Sequence, residues 1–300
     1  MSMAPLRCGT IAVIGAPNAG KSTLINRVVG SKVSIVSPKV QTTRARVLGI
    51  ALRDAAQLVF VDTPGIFEPR RRLDRAMVAA AWAGAQDADA ILLLVDAVSG
   101  LDADTTRILD GLARAGRRAV LALNKIDRAP RQSLLPLADE LAQRGIFDAV
   151  FMISSLTGDG VEDLVRHLAA IVPAGPWLFP EDQVSDVPLR LLAAELVREQ
   201  VFRQLDQELP YAITVETDTW EERDDGSVKI TATIHVARES HKPIVLGRGG
   251  AQIKRIGAAA RVALEQLLER RVHLFLHVRV TAGWTDDRER YAAMRLEFER

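Results

Sequence analysis

Short apolar runs alternate with longer amphipathic or alanine-rich stretches between residues 10 and 172. The runs are TIAVIG, VLGIAL, QLVFVD, AILLLVD, AVLALN and AVFMIS. Their length and their content of β-branched residues are typical of buried strands, whereas most of the stretches between them are long enough for helices. This alternation predicts an α/β domain with a mainly parallel sheet and helices on both faces.

The pattern changes after a proline-rich stretch without periodicity, PAGPWLFPEDQVSDVP, which predicts a linker. A helical segment follows, and then come two strand-like runs joined by the turn pair Asp225 and Gly226. A glycine-rich loop, another helix and the alternating strand RVHLFLHVRV complete a smaller α+β module. The predicted boundaries are 7–172 for the first domain, 173–188 for the linker, 189–284 for the second domain and 285–300 for a C-terminal tail.

Composition narrows the class of protein. The 300 residues are enough for two domains, and 48% hydrophobic with 26% charged residues is typical of soluble globular proteins. The start, MSMAPLRCGT, has no charged segment followed by an apolar core, and the apolar runs are shorter than the roughly 20 residues of a membrane span. We therefore expect a cytoplasmic protein. Cys8 is the only cysteine, which excludes internal disulfides and a thiolate metal cluster.

Charge is unevenly distributed along the chain. The net charge is +1, yet residues 241–281 contain eight lysines and arginines against two glutamates, a local net charge of +6. A basic C-terminal region inside a neutral chain favours an anionic partner for that region.

The stretch GAPNAGKS fits the phosphate-loop pattern and lies between the predicted strand TIAVIG and a helix. In this setting backbone N–H groups surround the β-phosphate, Lys21 reaches the β- and γ-phosphate oxygens, and Ser22 is a ligand of Mg²⁺. The predicted phosphate-binding residues are Gly15, Asn18, Ala19, Gly20, Lys21, Ser22 and Thr23.

The stretch NKID at 124–127 predicts that the base is guanine. The Asp127 carboxylate can accept hydrogen bonds from guanine N1–H and the 2-amino group, and adenine would leave it unpaired. Asn124 and Lys125 belong to the same motif. In SSLTGDG, which begins at Ser154, we expect the backbone of Ser155 and Leu156 to face guanine O6.

Two more stretches predict the γ-phosphate and metal site. DTPG at 62–65 ends a predicted strand with Asp62, which would hold Mg²⁺ through water, and with Gly65, whose N–H can sense the γ-phosphate. In QTTRAR, Thr43 would complete the metal shell, with Thr42 as the alternative. Each stretch alone would more often be an ordinary turn, but their order at predicted strand ends places one ligand site there.

Together these motifs resemble the translation-factor-like GTPases. Ile66 follows the DTPG glycine, where Ras-like GTPases use a glutamine to orient water, so the resemblance is to the subgroup with a hydrophobic residue there. In that subgroup the asparagine matching Asn18 helps to hold K⁺. The resemblance implies slow intrinsic hydrolysis favoured by K⁺ over Na⁺, with Lys21, Thr43 and Asn18 as the catalytic residues. The alternative for Asn18 is a turn residue only, and no general base is evident.

The second glycine-rich loop, GRGG at 247–250, lacks the Lys-Ser pair of a nucleotide loop. A GxxG stretch alone is usually a plain turn. Here it lies between two helices, in the element order of a type II KH module, and such a loop clamps about four nucleotides of single-stranded nucleic acid. The predicted RNA-binding residues are Gly247, Arg248, Gly249, Gly250, Lys254 and Arg255.

Nearly the whole chain resembles the Era family of bacterial ribosome-assembly GTPases. The matching stretches are GAPNAGKSTL, QTTRAR, VDTPGI, NKID, FPEDQVSD, ELPYAITVE and GRGGAQIKRIG. The resemblance implies binding to the 3′ end of 16S rRNA, help in maturation of the 30S subunit, and peripheral association with the inner face of the membrane. Arg248 replaces the usual lysine, Ser155 the usual alanine and Pro243 a common glycine.

The sequence thus predicts a monomeric GTP-hydrolysing switch, with Mg²⁺ and K⁺ as cofactors, joined to an RNA-binding module. The rival from another class is an RNA-binding scaffold with a structural nucleotide half, and the intact metal residues argue against it. A P-loop kinase is disfavoured by NKID. His273 and His277 share one face of the predicted last strand, where a solvated face is favoured over a metal site.

Overall fold

The computed structural model describes residues 5–39, 42–205, 209–284 and 287–298. Within these residues the chain forms two compact units. The first takes its residues from Met1–Ser34, Thr43–Asp186 and Tyr291–Arg300, and the second from Ile35–Thr42 and Val187–Arg290. No helix of the described part is long and apolar enough to cross a membrane.

The first unit alternates strands with helices. Its strands are β1 (Arg7–Gly15), β2 (Val47–Arg53), β3 (Ala56–Asp62), β4 (Ala90–Asp96), β5 (Ala119–Asn124) and β6 (Phe147–Met152). Its helices are α1 (Lys21–Val29), α2 (Arg72–Asp87), α3 (Ala103–Arg114), α4 (Arg131–Ala142) and α5 (Val161–Ile171).

The strands form one sheet in the order β2-β3-β1-β4-β5-β6. Among the described strands of this sheet, only the pairing of β2 with β3 is antiparallel, because a two-residue turn joins them directly. Side chains alternate across β1, so that Ile11 and Val13 pack with α1 and α5 while Ala12 and Ile14 pack on the opposite side. The predicted α/β fold with a mainly parallel sheet is confirmed.

The second unit has helices on one face of a small sheet. Its elements are α6 (Leu189–Gln204), β7 (Ile213–Glu222), β8 (Val228–Val236), α7 (Lys242–Leu246), α8 (Ala251–Leu268) and β9 (Val272–Val280), and the helix α9 (Arg288–Ala293) follows. The sheet order is β7-β8-β9, with β7 antiparallel and β9 parallel to β8. Apolar side chains of α6 and α8 cover one face of this sheet. The predicted KH module is confirmed.

The stretch predicted as a linker is attached to the first unit over most of its length. The N–H of Ile50 donates to the carbonyl of Val184 at 2.9 Å, and the N–H of Cys8 donates to that of Pro173 at 3.0 Å. Buried Gln57 accepts the N–H groups of Leu178 and Phe179 at 2.9 and 3.0 Å. These contacts leave little of 173–186 free to act as a tether. The prolines and the lack of periodicity in this segment did not reveal its contacts with the first unit.

Residues 35–42 belong to the second unit, which the sequence analysis did not foresee. Ile35 packs in its core with Leu196 and Val228. The N–H of Val36 donates to the carboxylate of Glu199 at 2.9 Å. The Arg203 side chain donates to the carbonyl of Val36 and to the carboxylate of Glu199. A glutamate in a predicted helix does not by itself indicate contact with a segment more than 100 residues away, so the sequence did not reveal the pairing of Glu199 with Val36.

Candidate functional site

The loop after β1 is shaped by close packing. Gly20 has a φ of 102°, and a Cβ there would lie 2.2 Å from Nδ2 of Asn124. Gly65 approaches the same loop, since a Cβ on it would lie 3.0 Å from the Cα of Pro17. The N–H of Ile66 donates to the carbonyl of Gly15 at 3.1 Å. Three separate motifs of the sequence therefore meet at this loop.

Lys21 opens α1 and is buried, with its ammonium inside the loop. Its Nζ donates to the carbonyl oxygens of Gly15 and Ala16, each at 3.0 Å. Burial lowers the pKa of Lys21 to about 8, although the negative charge of Asp62 opposes this shift. A desolvated cation at a helix N-terminus is an environment that favours a phosphate group.

Asp62, at the end of β3, is fully buried and collects hydroxyl groups around one oxygen. Its Oδ2 accepts from Ser22 Oγ at 2.8 Å, from Ser34 Oγ at 2.5 Å and from Thr43 Oγ1 at 3.3 Å. The other oxygen, Oδ1, is buried and has no hydrogen-bond partner in the described part of the chain. Burial raises the pKa of the Asp62 carboxyl above its usual range, against the opposing hydrogen bonds and Lys21.

This arrangement fits a hard divalent cation. The hydroxyl oxygens of Ser22 and Thr43 lie 3.0 Å apart, and the buried Oδ1 atom of Asp62 lacks a partner that a metal-bound water would supply. Thr42, the alternative to Thr43, is turned elsewhere, since its hydroxyl contacts Ser37 and the carbonyl of Lys39. Ser34 was missed by the sequence analysis, because no motif marks it.

Ile66 is fully buried and packs in the core with Ile14 and Ala81. The residue that follows the DTPG glycine therefore offers no hydrogen bond to an attacking water. Asn18 is exposed and has a φ of 62°, a left-handed conformation that asparagine tolerates. Both observations agree with the predicted subgroup, and neither identifies a water-activating group.

The residues predicted to recognise the base lie at and just after the ends of β5 and β6. Asn124 Nδ2 donates to the carbonyl of Ala19 at 2.7 Å, which ties the NKID motif to the phosphate loop. Asp127 is exposed, and its carboxylate accepts a hydrogen bond from Ser154 Oγ at 2.6 Å. This bond orients the carboxylate while the side chain stays accessible to a ligand. Lys125 has a φ of 66° and its Nζ donates to Asp96 at 2.6 Å.

The backbone predicted to face guanine O6 is partly engaged. The N–H and hydroxyl of Ser155 both donate to Oδ1 of Asn124 at 2.9 Å, whereas the N–H of Leu156 has no partner among the described residues. Leu156 is therefore the better placed donor. Arg27 of α1 donates to the carbonyl oxygens of Ser155 and Leu156 and fixes this segment, a role without a sequence signal.

The second loop connects α7 to α8 and is open to solvent. Gly247, Gly249 and Gly250 have φ values of 72°, 60° and 77°. A Cβ on Gly247 would lie 2.6 Å from Cβ of Gln252, but nothing lies within 4 Å of a Cβ on Gly249 or Gly250. The outer side of the loop therefore leaves room for a ligand's backbone to approach.

Cations surround this second loop. Arg248, Lys254 and Arg255 are all exposed. The Arg255 side chain donates to Gln252, and Lys254 forms no ion pair within the described part of the chain. Pro243 lies in the first turn of α7, where its missing N–H breaks no helical hydrogen bond. No group of three or more His, Cys, Asp or Glu residues suited to a metal occurs in the described chain, which includes His273 and His277.

The fold and these sites define a P-loop GTPase joined to a KH domain. The family model of 50S ribosome-binding GTPases matches residues 10–125, and the KH domain model matches residues 208–285. GTPase Era of Sinorhizobium medicae is 58% identical over 98% of this chain and 95% of its own, and GTPase Era of Agrobacterium fabrum is 56% identical over 99% and 93%. The chain belongs to the Era family of GTPases.

Solved structures give the same result. A single-substitution variant of Aquifex aeolicus Era bound to GDP and AlF4⁻ superimposes with a TM-score of 0.91 at 38% identity, over 96% of this chain and 99% of its own. Era in complex with MgGDPNP and nucleotides 1506–1542 of 16S ribosomal RNA gives a TM-score of 0.90 at 38% identity, over 96% and 98%. The similarity spans both units.

Proposed function

We propose that this GTPase binds the 3′ end of 16S rRNA through its KH domain and assists assembly and rRNA processing of the small (30S) ribosomal subunit. The observation that carries the proposal is the similarity, over nearly the whole chain, to an Era protein solved with a GTP analogue and 16S rRNA nucleotides 1506–1542. The description of the GTPase family model refers to the 50S subunit, but 16S rRNA belongs to the small subunit, which favours the 30S particle.

The residues of the first unit fit Mg²⁺. Ser22 and Thr43 would bind the ion directly and Asp62 would bind it through water, as their hydroxyl contacts and the unpartnered Oδ1 atom support. The ion would neutralise charge on the phosphate oxygens. Lys21 would stabilise the same charge, Gly65 would place its N–H near the γ-phosphate, and Asp127 would select guanine.

Asn18 is proposed to help hold K⁺ beside the phosphates. The support is its exposed position in the loop and the burial of Ile66, which leaves charge neutralisation to another group. Turnover measured in K⁺ and Na⁺ salts at equal ionic strength should be faster in K⁺, and Asn18→Ala should remove most of the difference. Equal turnover of the unmodified protein in the two salts contradicts this assignment.

Nucleotide state is proposed to control RNA binding. Thr43 contacts Asp62 in the first unit, whereas residues 35–42 belong to the second unit through Ile35 and Glu199. A change in the ligands of Thr43 is thereby transmitted along the chain to residues held by the RNA-binding unit.

RNA crosslinking of the GTP-bound and GDP-bound protein, mapped by sequencing, tests the function. We expect crosslinks at the 3′ end of 16S rRNA that differ between the two states. Lys21→Ala serves as the matched control, because its crosslinks should no longer respond to the added nucleotide. Crosslinks absent from that region, or identical in both states for the unmodified protein, defeat the proposal while the GTPase assignment stands.

The predicted monomeric state remains a prediction, as does peripheral association with the inner face of the membrane, which the family resemblance implies. Sedimentation of the purified protein tests the first. Flotation with anionic lipid vesicles tests the second, and protein found only in the unbound fraction contradicts it.

A further inference from the structure

One face of the sheet in the second unit is covered by helices, and the other face is exposed along β9, although His235 of β8 is buried there beside Thr281 and Arg290. Ile230, Ala232 and Ile234 of β8 are fully buried against the helices, and most apolar side chains of β9 are partly buried on the same side. The alternate residues point the other way. In the register of the sheet, Thr231 is paired with Phe275 and Thr233 with His277.

The open face of β9 has an unusual composition. It presents every second residue of the strand, and we call these residues, with the arginine just before the strand, the β9 stripe. The stripe consists of Arg271, His273, Phe275, His277 and Arg279. Alternate residues of a strand lie about 6.6 Å apart, so the cations and rings form an evenly spaced row.

Phe275 stands at the centre of this row and is 49% exposed. It is the one aromatic side chain among the exposed large hydrophobic residues of the described chain. Its immediate neighbours on the stripe are two histidines rather than apolar residues. An exposed phenyl ring in a polar row suits a flat ligand better than an apolar protein surface.

The two arginines of the β9 stripe are not paired with an acidic residue in the described part of the sheet. Strand β9 contains no acidic residue, and Arg271 and Arg279 form no ion pair with a described residue. Acidic residues lie on β7, which β8 separates from β9, and in the turn after β7, where Asp225 is near enough to His273 for their charges to interact. The acidic residues of β7 each have a partner of their own. Glu216 contacts His235 and Arg290, Asp218 accepts from Thr233, Glu221 contacts Lys229 and Glu222 contacts Arg270.

We propose that the β9 stripe is a second RNA-binding surface, distinct from the loop at 247–250, that takes single-stranded RNA leaving that loop. This inference rests on the proposed RNA-binding function. Phe275 stacks on a base, and Arg271 and Arg279 contact phosphates on either side. Strand β9 lies at the edge of the sheet and also contacts α7, the helix that leads into the loop at 247–250. An RNA strand bound at that loop can therefore cross the edge of β9 and continue along its exposed face.

The chemistry of the stripe distinguishes RNA from a protein partner. A protein interface core is depleted of charge and forms a contiguous apolar patch, which one ring between two histidines does not supply. Evenly spaced cations with an interposed aromatic ring match the stacking platform and electrostatic groove of single-strand binders. Hydroxyl groups of Thr231 and Thr233 on the neighbouring strand add hydrogen-bonding capacity.

The test compares a long and a short RNA. The long probe is the RNA fragment 1506–1542, and the short one is a piece of about five nucleotides, enough to fill a KH loop. Phe275→Leu should weaken binding of the long RNA about 5- to 30-fold and leave the short RNA unchanged, whereas Phe275→Trp should restore the affinity. Arg279→Gln should lower the salt dependence of long-RNA binding by about one ion, and Arg114→Gln on α3 is the matched control.

Each outcome decides one question. Equal affinity of Phe275→Leu and the unmodified protein for the long RNA overturns the proposed RNA-binding role of the β9 stripe and does not affect the proposed role of the loop at 247–250. A weaker association of Phe275→Leu with whole small subunits, without any loss for the naked RNA, points instead to a protein partner and overturns it as well. If the unmodified protein binds neither probe, or if Arg248→Asp with Gly249→Asp binds both normally, the proposed RNA-binding function itself fails.

Discussion

The loop at residues 15–20 is enclosed by its neighbours, whereas the loop at 247–250 stands open to solvent. In the first, Lys21 is buried and a Cβ on Gly20 would overlap Asn124. In the second, Arg248 and Gly249 are exposed and nothing lies within 4 Å of a Cβ on Gly249. Both loops contain glycines with positive φ.

The difference shows how similar backbone chemistry serves different ligands. The enclosed loop holds Lys21, Ser22 and Asp62 in fixed positions, which suits their proposed role of selecting a triphosphate with its metal. The open loop has exposed backbone and exposed cations, so if it binds RNA as proposed, sequence selection must come from contacts beyond the loop. Selectivity therefore depends on what surrounds the glycines.

The largest expected effect is on GTP turnover, which a substitution in the first loop should change without changing RNA affinity. Lys21→Ala removes the buried ammonium that is proposed to stabilise charge on the transferred phosphoryl group, and we expect GTP turnover to fall by about 10³-fold. RNA affinity without nucleotide should not change. Single-turnover hydrolysis and RNA titration measure the two effects, and retained turnover would show that the loop carbonyls hold Lys21 for structural reasons only.

Base selection tests whether the enclosed site extends beyond the phosphates. Asp127→Ala deletes the proposed acceptor for guanine N1–H and the 2-amino group, so we expect the preference for GTP over ATP to fall by at least about 100-fold. Competition binding with the two nucleotides gives the ratio. Ser154→Ala, which removes only the hydroxyl that holds Asp127, should have a smaller effect in the same direction.

Adding one methyl group to each loop compares their packing directly. Asn124 is fixed by hydrogen bonds to Ala19 and Ser155, so Gly20→Ala should lower the free energy of unfolding by about 3 kcal/mol. Gly249→Ala meets no atom and should lower it by only about 1 kcal/mol through its φ of 60°. Chemical denaturation measures both, and equal losses would contradict the contrast between the loops.

The smallest expected effect concerns the open loop. Arg248→Gln removes one exposed cation, so RNA affinity should fall a few-fold and the slope of log affinity against log salt should decrease by about one. GTP turnover should not change. An effect on turnover would show that Arg248 contributes to more than RNA binding.

Much of the first unit could be predicted because its signals are local. Strand-length apolar runs, the Gly-Lys-Ser sequence and NKID each lie within a few residues, and the carboxyl ends of parallel strands converge at one edge of a sheet. Ser34 and Arg27 were missed because their roles come from contacts with distant residues, Asp62 for the first and Ser155 for the second. Similarly, Gln57 is an ordinary strand glutamine until the segment 173–186 meets it.

The sequence by itself determined the order of elements, the class of nucleotide and the family, since periodicity and motif chemistry are properties of neighbouring residues. Tertiary structure decided that Thr43 rather than Thr42 meets Asp62, and that Ile35 packs in the core of the second unit. It also decided that Phe275 is exposed on a strand face whose two arginines, Arg271 and Arg279, form no ion pair with a described residue. These facts depend on which distant groups share a buried space or a strand register, and chain order does not record that.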